Sequence, residues 1–69
     1  MLKHGDIVKI IDHAGGSYGK KGDLCKVEDI NASNGVTLVY ARILSGEDKG
    51  KLSDRFVYRY ELVKMDWDE

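Results

Sequence analysis

Gly16-Ser17-Tyr18-Gly19-Lys20-Lys21-Gly22-Asp23-Leu24-Cys25-Lys26-Val27 sets two lysines between two glycines and runs straight into an apolar alternation. Glycine accepts positive φ without steric cost, so Gly19 and Gly22 mark a tight turn that feeds a strand. The same residues have a second reading. Glycine lets the backbone approach a ligand, and lysine neutralises phosphate, so the loop either grips an anion or only turns the chain. The strand that follows is predicted from Leu24 to Ile30. Leu24 and Val27 stand three apart, which predicts a bulge or strong bend if both face the core.

Working outward, Gly5-Asp6 opens a first strand, Ile7 to Ile11, with Val8 and Ile10 on one face. Beyond Ile30, Asn34-Gly35 is a hairpin signal, because both residue types tolerate the positive φ of a two-residue turn. Val36 to Leu44 is the clearest strand, with Val36, Leu38 and Tyr40 alternating with Thr37, Val39 and Ala41. A charged, glycine-flanked turn from Ser45 to Gly50 leads to a fourth strand, Leu52 to Val57. Tyr58-Arg59-Tyr60 is predicted as a short turn of tight helix, and Glu61 to Lys64 as a closing strand. Five short strands without a long helix predict an all-β domain, a small barrel whose closure removes exposed strand edges.

Composition narrows the function classes. At 69 residues the chain holds one domain. A domain this small leaves little room for a deep enzyme cleft and is marginally stable. Cys25 is the only cysteine, so no internal disulfide forms. One cysteine with His4 and His13 lacks the paired spacing of a zinc site, and neither metal nor cofactor is expected. Lone-cysteine usage points to a reducing, cytoplasmic compartment. No apolar run approaches the roughly 20 residues of a membrane helix, so neither a span nor a signal-peptide core is predicted. Eleven basic and twelve acidic side chains give a net charge of −1, and three of the acids fall in the last four residues. The reading is therefore a domain over residues 1–65 followed by an acidic tail over 66–69. Charge alone does not argue for nucleic acid, so such a role rests on a local patch.

Two stretches resemble a known family. Gly5-Asp6-Ile7-Val8-Lys9-Ile10 is similar to the opening of many SH3-like barrels, and Gly19-Lys20-Lys21-Gly22-Asp23-Leu24-Cys25-Lys26-Val27 resembles the core of the KOW motif. The end of the chain, Phe56 to Val63, looks like the final strand, helical turn and last strand of the same barrel. The resemblance implies a five-stranded SH3-like barrel with a short helical turn before the last strand. It also implies a binding module in transcription- or translation-type machinery that contacts RNA, DNA or a protein. Free-standing SH3-like proteins of this length are also common in bacteriophages, where many modulate host machinery, so the resemblance extends to a phage-encoded regulator.

On that basis the expected nucleic-acid contacts are Tyr18, Lys20, Lys21 and Lys26, with Gly19 and Gly22 shaping the loop. Tyr18 would stack on an unpaired base. The bland alternative is a solvated turn. A second basic set, Arg42, Lys49, Lys51, Arg55 and Arg59, is interleaved with acids, and the sequence does not say whether it joins the loop. The competing expectation is a protein-interaction regulator using Tyr58, Tyr60 and Trp67. Phe56, Tyr58 and Tyr60 alternate, so they form either an aromatic patch or a core in which Phe56 and Leu62 fill the barrel while the tyrosines cap it. Trp67 either serves as an exposed anchor in the acidic tail or folds back on the domain. Catalysis is not expected: Ser17 and His13 lack a third group and an oxyanion site, and Cys25 reads as a small buried apolar residue.

Overall fold

The computed structural model describes residues 2–12 and 18–63. Five antiparallel strands form one sheet: β1 (Ile7–Ile10), β2 (Leu24–Ser33), β3 (Val36–Ile43), β4 (Leu52–Phe56) and β5 (Tyr60–Leu62). A 3-10 turn, Val57–Arg59, joins β4 to β5. The order across the sheet is β4-β3-β2-β1-β5. Among the described residues no strand pairing links β4 to β5, so the sheet is all-β and antiparallel but not closed by backbone hydrogen bonds.

Period-two patterning builds the core. β1 contributes Val8 and Ile10, β2 Cys25 and Val27, β3 Val39, Ala41 and Ile43, and β5 Tyr60. In β4 the inward positions are polar: Ser53 is fully buried and Arg55 is 4% exposed. That phase turns Phe56 outward, and it is 40% exposed; Leu62 is equally open at 42%. Neither fills the interior, against the expectation that they would. The 3-10 turn resets the phase of the chain, and Tyr60 takes the interior position instead.

The expected bulge is present but one step further on. The register between β2 and β3 slips between Val27 and Asp29. Cys25 and Val27 already share the core face by simple alternation, and Leu24 is only half-buried. The inserted residue instead lets Val27 and Ile30, three apart, face the same side.

β2 and β3 run on past the rest of the sheet. β1 pairs with β2 only along Leu24–Lys26, whereas β3 pairs with β2 as far as Ser33. The hairpin closes at Asn34-Gly35, whose φ values of 53° and 77° fit the two-residue turn read from the sequence.

Candidate functional site

Two surfaces carry the residues singled out above. The first surrounds the loop that enters β2. Gly19 has φ of +97°, and its backbone N–H donates to Asp48 Oδ2 at 2.8 Å. An added Cβ there would stand 2.7 Å from Ile10 Cδ1. Arg55, reaching from β4, donates through Nη1 to the Tyr18 carbonyl at 2.7 Å and through Nη2 to the Gly19 carbonyl at 3.1 Å. A guanidinium holds several donors in a fixed fork, which suits it to two adjacent carbonyls. The loop is therefore docked on the 45–50 turn and on β4, and two members of the second basic set, Arg55 and Lys51, meet the first here.

Charges at this surface are paired as they are brought together. Lys20 Nζ lies 2.7 Å from Glu47 Oε1. That hydrogen bond raises the lysine's pKa. The backbone N–H of Lys20 is held by Asp23 Oδ2 at 2.9 Å. Tyr18 is 53% exposed, with Lys51 Nζ 4.4 Å from its ring centroid. Lys21 is exposed on the turn. Lys26 stands apart on β2, cross-strand from Arg42, which forms a two-pronged pair with Glu28. The arrangement presents an aromatic ring and two cations, Lys21 and Lys51, beside two carboxylates, Glu47 and Asp48.

The second surface lies at the hairpin end. Phe56 and Tyr58 stack with centroids 5.7 Å apart and planes 15° from parallel. Tyr58 is 64% exposed, and the Arg59 guanidinium lies 5.2 Å from its ring. Arg59 is itself fixed by an ion pair with Asp12. A groove of about 230 Å³ runs beside the stack, walled by Gly35, Val36 and Thr37 with Phe56, Val57 and Tyr58. A second groove of about 280 Å³ adjoins it, lined by Leu2, Ile30, Ala32, Thr37, Val39 and Val57. Thr37 and Val57 belong to both.

Tyr60 does not join this face. It is 6% exposed, and its hydroxyl lies 2.8 Å from Ser53 Oγ. Burial raises its pKa. A phenol with a buried partner reads as core, so the exposed aromatic set is Phe56 and Tyr58. Trp67 and the 66–69 tail lie outside the described residues, as do His13 and Ser17. Cys25 is fully buried, and burial, reinforced by Asp23 and opposed by Arg55, pushes its thiol up to about 11. It is a protonated apolar group at neutral pH.

Ile30, Val36 and Leu2 were not read from the sequence as surface features. The sequence pattern ends the second strand at Ile30, whereas β2 runs on to Ser33 beside a four-residue β1, which leaves apolar side chains with no strand to cover them. Among the described residues, no helix is long and apolar enough to cross a membrane. Compared with known proteins, the chain matches no family model, no curated protein and no solved structure.

Proposed function

We propose that the chain is a non-enzymatic, cytoplasmic binding module on an SH3-like barrel, and that it engages a protein partner through the apolar face at the hairpin end. The barrel reading is supported by the 3-10 turn directly before the last strand and by the Ser53–Tyr60 contact between the two edge strands. The observation that carries the function is the exposed Phe56–Tyr58 stack beside two contiguous apolar grooves. Contiguous apolar surface is costly to leave in water, and aromatic anchors dominate protein interfaces. A regulator of host transcription- or translation-type machinery, such as a bacteriophage encodes, fits this form.

A second reading, nucleic-acid binding through the loop, is favoured by Lys51 over the exposed Tyr18 ring. It ranks second because Glu47 engages Lys20 and Asp48 sits in the same cluster. The test compares affinity capture by the parent, Phe56→Ala/Tyr58→Ala and Lys20→Ala/Lys21→Ala proteins at two salt concentrations. Capture of one protein, lost only in the aromatic variant and insensitive to salt, is expected. Nuclease-sensitive capture lost in the lysine variant, falling with a salt slope near −0.7 per phosphate, would transfer the function to the loop.

A further inference from the structure

The outer half of β2 is a sheet edge with a groove beneath it. A two-residue hairpin turn closes on a hydrogen-bonded pair, here Ser33 and Val36. Counting back by twos, Asn31 and Asp29 bond to β3, while the backbone groups of Ile30 and Ala32 point the other way. Gly5 and Asp6 hold the Val27 backbone on that side, and among the described residues no strand pairs with β2 there beyond it. The Ile30 N–H is held instead by the preceding Asp29 carboxylate, at 2.9 Å. The side chains of Ile30 and Ala32 line the 280 Å³ groove.

We infer that this edge binds an extended segment of a partner protein by strand addition, with two apolar side chains at alternate positions in the groove and a basic side chain opposite Asp29. The inference rests on the reading of this end of the sheet as a protein-binding face. Main-chain bonds to an exposed edge give affinity, and pockets for alternate side chains give specificity. Residues directly opposite across a ladder share a face, so the partner residues facing Ile30 and Ala32 project into the groove. The residue facing Asp29 projects to the other side of the sheet. The Asp29 side chain is 67% exposed, and its Oδ1 lies 3.8 Å from His4 Nε2. That imidazole stands beyond hydrogen-bond distance, so a lysine or arginine from the partner complements the carboxylate. Glu28, next to it, is already neutralised by Arg42 and adds no such demand.

The probe is the peptide acetyl-Lys-Val-Thr-Val-Lys amide, which reads the same in both directions and so tests parallel and antiparallel addition together. It is titrated into isotope-labelled full-length protein and followed by NMR. The expected result is chemical-shift change centred on Asp29–Ser33 and, at saturation, at least tenfold slower amide exchange at Ile30 and Ala32. The same peptide N-methylated at both valines, at the threonine and at the last lysine, which removes the edge-facing N–H groups of either orientation, is expected to leave these amides untouched, and the version with glutamate at both ends to bind at least fivefold more weakly. Equal binding by the N-methylated peptide, or no change at Ile30 and Ala32, would overturn strand addition. Either result leaves the wider protein-binding reading to stand or fall on whether capture depends on Phe56 and Tyr58.

Discussion

The hydroxyls of Ser53 and Tyr60 lie 2.8 Å apart, and through them the two outermost strands, β4 and β5, touch. The Tyr60 hydroxyl also lies 3.2 Å from the Val39 carbonyl, in position to donate to it. Backbone pairing leaves the sheet open; a buried phenol draws its edges together. Tyr60→Phe keeps the ring and deletes this junction, leaving Ser53 Oγ only the donor from Arg55 Nη1 and the Val39 carbonyl without the phenol. A loss of about 1–2 kcal/mol in urea unfolding is expected, as for a buried hydrogen bond. A variant as stable as the parent would mean that the contact does not hold the edges.

Gly19 and Gly22 share φ of +97° but differ in surroundings. A Cβ at Gly22 meets nothing within 4 Å, whereas one at Gly19 runs into Ile10 and Ile43. Gly22→Ala therefore carries the backbone penalty alone, about 1–3 kcal/mol. Gly19→Ala adds overpacking of about 1–3 kcal/mol more. Thermal unfolding of the two variants side by side separates the terms, and equal losses would refute the close approach at Gly19.

On the alkaline side, Cys25 sets a slope. Its folded pKa is about 11 against an ordinary 9.0, so between those values the folded state binds the proton more tightly than the unfolded chain. That contribution is fully present below about pH 9 and is lost as pH rises toward 11. Cys25→Ala is expected to be less stable at neutral pH, because it leaves a cavity, yet to show a flatter decline above pH 9 in denaturant titrations. An unchanged slope would assign the alkaline loss elsewhere.

On the acid side the sign reverses. The hydrogen bond from Arg42 lowers the Glu28 pKa below its ordinary 4.5. Its contribution is present above that value and is lost as pH falls through the depressed folded one. Both side chains are well exposed, so the effect is small. Glu28→Gln should show a smaller drop in unfolding midpoint between pH 7 and pH 3 than the parent. An equal drop would mean that the pair is not maintained in solution.

Local rules made much of this fold readable. Asn34-Gly35 announced its turn because few residues accept positive φ, and Val8 and Ile10 announced an inward face because nothing interrupts their alternation. The features that escaped depend on partners far along the chain. Arg55 reads as surface charge until the carbonyls of Tyr18 and Gly19, 37 and 36 residues away, come to meet it. Tyr60 reads as an exposed aromatic until Ser53 supplies a buried partner. The bulge was legible as a need for one extra residue, but its position depended on whether Leu24 or Cys25 faced in, and their hydrophobicities do not decide that. At the candidate site, Tyr18 and the lysines were legible as types; the pairing of Lys20 with Glu47 was not, because it requires two loops to meet.

The grip of Arg55 on the loop predicts an order of events during folding. The β2–β3 hairpin closes over two residues and needs no distant help, so it can form within microseconds of its strands being available. The Tyr18 and Gly19 carbonyls gain their guanidinium partner only once β4 has docked on β3, because it arrives with residue 55. Arg55 is thus a late lock: substituting it should accelerate unfolding and leave the folding rate nearly unchanged.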